Sequence, residues 1–359
     1  MSTAYSGDGI TFPDNSVQAT APRVGMVNRI INGDMRIDQR NAGASVTSHG
    51  SFPIDRFKML TTAGGAITGQ QVTDAPVGFL TSIKITVTTA ATPSGGVTGL
   101  LQSIEGYNSA DLGMGTSGAK TFTLSFWVKS SISGNFGISF KNASNNRFYL
   151  TTYTINTANT WEYKTITVSG DTSGTWGTDS STGLRFDFDL GTQASSRGST
   201  INAWHTSSYV QGPTSGADLL STVNATWQIT GVQLEKGSTA TDFEYVDYSR
   251  QLQQCQRYSF VTNGSNAMFG SGGGAGLQLR YVLPEMRATP TVLIHTAGTI
   301  TVTDDFASNP VANPAGATLQ NANAKFARLA ITGFTGLNTG RAYGGLGTGT
   351  ATILFSAEL

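Results

Sequence analysis

Residues 121–131 read TFTLSFWVKSS. Phe122, Leu124, Phe126 and Val128 fall on one side of this run, and Thr123, Ser125, Trp127 and Lys129 on the other. A period of two marks a β-strand, and strict alternation marks a sheet with one face on an apolar core and one toward water. The pattern recurs on both sides. GFLTSIKITVTT at 78–89 places Phe79, Ile83, Ile85 and Val87 inward. FGISF (136–140), FYLTTYTI (148–155), EYKTITVSG (162–170), LRFDFDLG (184–191) and WQITGVQLE (227–235) continue the series. Between them lie Gly, Asn, Ser and Pro clusters such as TPSGG and NASNN, which are turn chemistry. Many short strands at this spacing predict an all-β chain built on an antiparallel sandwich.

Three segments follow from this core. Residues 26–249 carry the strands of the sandwich. Residues 1–25 form an N-terminal attachment segment: Ile10 and Phe12 alternate with polar neighbours, Pro13-Asp14-Asn15-Ser16 turns the chain, and Val17 resumes an extended run. A hairpin of that size cannot bury its own apolar residues, so it is expected to dock on this domain, on another copy or on a particle surface. Residues 250–359 hold the end of a short helix and a smaller β-domain. In DYSRQLQQCQRYSF (247–260), Asp247 or Ser249 can cap about three turns with Leu252 and Cys255 on one side. That is too short for a self-sustaining coiled coil, and it reads as a hinge between domains. SGGGAG (271–276) reads as a flexible loop. The last strand alternates Ala351, Ile353 and Phe355 with Thr352 and Leu354, which predicts a terminal strand tied into a sheet.

Composition narrows the class. Of 359 residues, only 12% are charged, against about a quarter in ordinary soluble domains. Ser, Thr, Asn and 44 Gly replace the missing charge, as in extracellular and virion β-proteins. Basic and acidic residues number 22 each, with no Lys/Arg run, so a nucleic-acid partner is not expected. No apolar run approaches the length of a membrane span. MSTAYSGDGITFPD lacks the basic and apolar parts of a signal peptide, so ordinary secretion is not expected. The single cysteine, Cys255, permits no intrachain disulfide, and reads as a packing residue or a symmetric interchain contact.

INGDMRIDQRNAG at 31–43 and PIDRFKM at 53–59, the central strands above, and ITGVQLEKGSTATDFEYVDYSRQLQQCQRY at 229–258 together resemble the opening, middle and closing of one module. The module is a carbohydrate-binding-module-like jelly roll found in tail-fibre and head-fibre appendage proteins of tailed bacteriophages. PEMRATPTV and ILFSAEL look like the C-terminal domain that often follows it. The resemblance implies a virion protein, made in the host cytoplasm and commonly a homotrimer. It further implies contacts to tail or capsid proteins through the N-terminal segment and a possible grip on host surface polysaccharide. NGDM also resembles the NGDFE opening of modules that hold a structural calcium, but Met35 and Arg36 replace the aromatic and the acid. No metal or cofactor is expected.

Candidate binding residues are aromatic. Trp127, on the polar face of its strand, can stack on a pyranose, or lie under a second sheet or subunit. Trp176 (GTWGTDSS) and Trp204 (NAWHTSS) lie in loops, with Asn202 and His205 as polar helpers. They read as a glycan site or as staples holding long loops to the sandwich. Trp161 and Trp227 open strands and read as core. Period two puts Asp187 and Asp189 on one face about 7 Å apart, with Arg185 displaced to the other. They read as a solvated face or as the acid–base pair of a polysaccharide depolymerase. His49, His205 and His295 lack metal-spaced partners, and no G-x-S-x-G, P-loop or H-E-x-x-H occurs. The expected function is therefore a non-enzymatic trimeric adhesin. The alternatives are a head-fibre or capsid/tail decoration protein, and a depolymerase.

Overall fold

The computed structural model describes residues 4–6, 9–11, 17–18, 26–206, 210–266, 269–273, 276–303, 311–312, 317–335, 337, 342–345 and 349–359. The chain is all-β, as its alternation predicts. Strands β1 (Ala4–Ser6), β2 (Gly9–Thr11) and β3 (Val17–Gln18) make a small antiparallel sheet, with Ile10 opposite Gln18 and Thr11 opposite Val17. The intervening turn at 13–16 lies outside the described residues.

The jelly roll follows: β4 (Lys58–Thr61), β5 (Ala66–Val72), β6 (Ser82–Thr89), β7 (Val97–Glu105), β8 (Phe122–Ser130), β9 (Gly134–Lys141), β10 (Arg147–Ile155), β11 (Glu162–Val168), β12 (Thr182–Thr192), β13 (Arg197–Gly198), β14 (Trp204–Thr206), β15 (Gly212–Pro213) and β16 (Thr226–Lys236). One sheet runs β14-β10-β9-β12-β7-β4 and the other β11-β8-β16-β6-β5. The two-residue pair β13–β15 is parallel; every other ladder in the sandwich is antiparallel.

The apolar positions of the alternating strands meet between these sheets. Phe122, Leu124, Phe126, Val128, Ile83, Ile85 and Val87 face Phe186, Phe188, Leu190, Phe136 and Ile138. Phe126 lies 5.1 Å from both Phe188 and Tyr153, and Phe188 lies 5.2 Å from Trp227. Trp227 is fully buried, and its indole N–H donates to the Tyr153 hydroxyl at 3.0 Å, so the core's polar handle is satisfied. Burying a ring of this size contributes roughly 4–6 kcal/mol by area.

The opening segment and the closing segment meet. Past Ile229, β16 swells into a bulge between Thr230 and Gln233, and β6 no longer pairs with it. Residues 28–33 take over that edge. Arg29 N donates to Leu234 O, Val232 N to Gly33 O, and Leu234 N to Asn28 Oδ1. Gly33 is required there, because a Cβ would stand 2.1 Å from Val232 O.

Helix α1 (Tyr248–Gln256) is capped by Asp247, whose side chain accepts from Arg250 N. Buried Cys255 and half-buried Leu252 pack with Ile31, Ile37 and Tyr258. Burial pushes the Cys255 thiol well up, so it behaves as a packing residue.

The remaining strands are β17 (Ser259–Asn263), β18 (Phe269–Gly273), β19 (Gly276–Val282), β20 (Thr291–Thr296), β21 (Ile300–Thr303), β22 (Val311–Ala312), β23 (Ala317–Asn323), β24 (Phe326–Thr332), β25 (Phe334–Thr335), β26 (Ala342–Gly345) and β27 (Thr352–Ser356). Ser271–Gly273 belong to a hairpin, with Gly273 opposite Gly276, instead of the loop expected from the glycine run. Strand β27 is the middle strand between β17 and β20, with Ala351, Ile353 and Phe355 buried.

This second lobe is tied to the jelly roll by a buried ionic junction. Glu358 accepts from Arg40 at 2.7 Å and pairs with Arg56. Glu105 accepts from Arg257 at 2.6 Å and from the Tyr258 hydroxyl at 2.6 Å. Asp55 stands 3.6 Å from Arg40 and bonds Gln39.

Candidate functional site

The outer face of the five-stranded sheet carries the site. Trp127 on β8 points away from the core, as alternation requires, and is half-buried. Its cross-strand neighbours are Tyr163 on β11 and Thr230 on β16. The Trp127 and Tyr163 rings lie 5.4 Å apart at 48°. Opposite them stands a second aromatic wall. Phe79, Phe243 and Tyr245 pack together with centroids 4.9–5.6 Å apart. The open cleft between the walls is about 680 Å³, lined by these five rings with Ser125, Gly231, Ala240, Thr241 and Asp242.

Two local features build it. The first is the closing segment, residues 237–247, which doubles back over the sheet as a strap. Its anchors are the buried outward-facing side chains of β16. Gln233 Nε2 donates to Asp242 O at 3.2 Å, and Glu244 N donates to Gln233 Oε1 at 2.8 Å. Glu235 accepts from Thr241 N and Thr241 Oγ1, both at 2.8 Å. At the far end Tyr245 donates to Gly78 O at 2.5 Å, and Arg36 Nη2 donates to Val246 O at 2.7 Å. Burial pushes the Asp34 carboxyl up, with its partner Arg36 offsetting this in part.

The second feature is the loop 73–81, which brings Phe79 to the cleft. Asp74 pins it, accepting from Lys129, from Gln228 at 3.1 Å and from the Trp161 indole at 3.3 Å. The Lys129 ammonium is the chief reason the Asp74 carboxyl titrates below its usual range. Gly231, at φ +61°, lines the cleft between the walls.

The sequence-predicted residues divide. Trp127 lies in the cleft. Trp176 is not an exposed loop ring: it is 8% exposed and meets Trp204 edge-to-face at 5.3 Å. Their indole N–H groups donate to backbone oxygens, Trp176 to Ser173 at 3.0 Å and half-buried Trp204 to Ser169 at 2.6 Å. Asn202 sits at φ +60° and accepts from Thr151 Oγ1 at 2.7 Å, and the His205 ring lies 6.0 Å from that of buried Phe148. The structure thus brings Trp176, Trp204, Asn202 and His205 to β10 and β14, where they staple loops, while Trp127 stands on the other sheet.

Further corrections concern facing. Trp161 is not core; it is half-buried on the outer face, with Lys129 Nζ 5.1 Å from its ring centre. Phe79 precedes β6 and packs outside, because the chain has not yet entered the pleat that sends Ile83, Ile85 and Val87 inward. Arg185 shares a side with Asp187, and its Nε donates to Asp187 Oδ1 at 2.7 Å.

Asp187 and Asp189 share a face but are neither solvated nor open to substrate. Both are fully buried: Arg197 and Gly212 lie against Asp189, and Gln211 accepts from Lys141 beside Asp187. Asp187 pairs with fully buried Lys141 at 2.5 Å, and Asp189 stands 3.2 Å from Arg197. Burial pushes the Asp187 carboxyl up, but Arg185 and Lys141 outweigh it and hold it low. Burial pushes Lys141 down to about 8 against the pull of Asp187. This is a structural ion network. Among the described residues no three His, Cys, Asp or Glu side chains gather to hold a metal, and no helix is long and apolar enough to cross a membrane.

Sequence reasoning missed Tyr163, Gly231, Thr241, Asp242, Phe243 and Tyr245. The available signal was the aromatic pair in TDFEY, inside a polar stretch with no strand of its own to bury it.

No protein-family model and no curated protein matches the sequence. Solved structures show likeness at low identity. A putative sugar binding protein from Bacteroides thetaiotaomicron is 13% identical, covering 58% of this chain and 100% of that one, with TM-score 0.34. The enzymatically active domain of tailspike protein 4 of bacteriophage CBA120 is 14% identical over 59% of this chain, with TM-score 0.32, and this chain spans only 22% of it. The N-terminal CBM22-1–CBM22-2 tandem domain of Paenibacillus barcinonensis Xyn10C is 11% identical, covering 89% of this chain and 100% of that one, with TM-score 0.28. Likeness at this level says nothing of what the cleft holds.

Proposed function

We propose that this chain is a non-enzymatic phage virion adhesin, a fibre protein that grips host surface glycans through the aromatic cleft. The observation that carries the binding reading is the cleft itself: five rings in two facing walls, open to solvent, with Ser125, Thr241 and Asp242 among them. Facing rings suit a pyranose, whose C–H faces gain burial against aromatic surface while its rim hydroxyls reach polar groups. The virion setting is supported by the sequence resemblance of the opening and closing segments. A homotrimer that attaches to tail or capsid proteins through residues 1–25 belongs to the same reading, since weak sites engaged together raise effective concentration.

The test is affinity electrophoresis on host surface polysaccharide. Wild-type retardation that disappears in Trp127→Ala and Phe243→Ala supports the reading. Retardation unchanged in both variants sinks it. Imaging of intact particles tests the virion placement.

A decoration role is favoured by one observation: Val77 and Leu80, at the tip of the loop carrying Phe79, are 101% and 73% exposed. Apolar side chains held so far into solvent suit a protein contact. Rebinding to stripped particles that is lost in Val77→Ser/Leu80→Ser, with no glycan retardation in wild type, would select that role.

A further inference from the structure

We infer that Asp242 sets the ligand class of the cleft: uncharged sugars presenting two adjacent free hydroxyls, with carboxylated sugars rejected. This rests on the glycan reading above. Among the ten lining residues Asp242 is the only carboxylate, and there is no Lys, Arg or His. The Asp242 side chain is exposed and, among the described residues, has no hydrogen bond or ion pair; only its backbone oxygen is engaged, by Gln233. The cations on the three strands beneath the cleft, β8, β11 and β16, each have another partner, Lys236 of β16 being paired with Asp111 at 3.0 Å. Lys129 is paired with Asp74, and Lys164 with Glu162 at 2.6 Å.

An ionised carboxylate accepts but does not donate. Its two oxygens match a pair of hydroxyl donors on neighbouring carbons of a pyranose, and hydrogen bonds to a charged acceptor are about twice as strong as neutral ones. The same charge disfavours a uronate or other acidic sugar in the cleft, with no cation among the lining residues to offset it. One side chain therefore both attracts one class and excludes another. The neighbouring groups agree with this assignment. Thr241 Oγ1 donates to Glu235 Oε2 at 2.8 Å, so its hydroxyl hydrogen is already committed and is not offered to a ligand carboxylate.

The test measures retardation by dextran, mannan, galactan and xylan, each beside its methylated and its carboxymethylated derivative. Methylation masks hydroxyls without adding charge, so the comparison separates the two effects. Wild type is expected to bind one or more neutral polymers best, the methylated form less, and the carboxymethylated form least, with the last gap closing in salt. Asp242→Asn is expected to weaken the neutral polymer about tenfold and to bring the two derivatives level. Carboxymethylated polymer bound as well as the methylated form by wild type, or an Asp242→Asn profile identical to wild type, overturns the inference while leaving the cleft as a glycan site. Binding untouched by Trp127→Ala, or absent for every polymer, overturns the cleft reading and this inference with it.

Discussion

A methyl group on Gly231 would stand 2.6 Å from Cζ of Phe79 and 3.1 Å from Cδ1 of Trp127. The two walls of the cleft therefore approach each other over a residue without a side chain. Gly231 also holds φ at +61°, a conformation that costs an L-residue roughly 1–2 kcal/mol. Gly231→Ala is expected to lower stability by about that amount in urea unfolding and to remove glycan retardation by displacing Phe79. A variant that loses stability and keeps full affinity would show that the floor does not matter to the ligand.

The tryptophans should separate by role. Trp176→Ala removes a buried ring from the staple formed with Trp204, and is expected to cost about 3–5 kcal/mol. It should leave the affinity of the surviving folded fraction unchanged. Trp127→Ala, half-buried on the outer face, should do the reverse: a smaller stability change and lost retardation. Denaturant midpoints and affinity electrophoresis on the same two proteins decide the matter, and matching losses in both assays would contradict the division.

Asp187→Asn tests the depolymerase alternative. Lys141 is fully buried and its ammonium lies against this carboxylate. Removing the negative partner of a buried pair costs about 3–5 kcal/mol. The expected result is a destabilised protein and an unchanged, blank reducing-end assay for both wild type and variant. Reducing ends released by wild type and not by Asp187→Asn would restore the enzymatic role.

The lobe junction should make stability depend on pH through Asp55. Burial pushes this carboxyl up to about 7, against the pull of Arg40, from an ordinary value of 3.8. Between those values the folded chain keeps a proton that the unfolded chain has released. The resulting stabilisation is complete below the unfolded value and is lost as pH rises through about 7. Glu358 has the opposite sign. Burial alone would raise it, but Arg56 and Arg40 hold it below 4.5, so its contribution is present above that value and lost as pH falls through the folded one. Denaturant midpoints should therefore decline between about pH 4.5 and about pH 7 and level off above that. Asp55→Asn, a permanent mimic of the neutral form, should flatten that decline and keep the acid limb. An unchanged decline in Asp55→Asn would assign it to another group.

Strand alternation made the sandwich legible, because a pleat leaves period two in the sequence wherever one face is dry, as in Phe122–Val128. It also located Trp127 on the outer face. It failed where the outer face is covered. Asp187 and Asp189 look solvated by period alone, and it is Arg197, Gln211 and Gly212, contributed from between β12 and β16, that make that side an interior. Phe79 and the rings of TDFEY were illegible for a related reason. They lie in loops, so no period applies, and their placement comes from polar anchors: Asp74 for the loop carrying Phe79, and Gln233 and Glu235 for the strap carrying Phe243 and Tyr245. Trp176 misled because a ring beside Ser, Thr and Gly looks exposed until its partner Trp204, 28 residues away, is placed against it.

Asn28 contacts Val232 and Leu234, so the chain arrives at the sandwich and departs from it at a single corner. A body whose two tethers share one corner can be exchanged for another without redirecting what comes before or after.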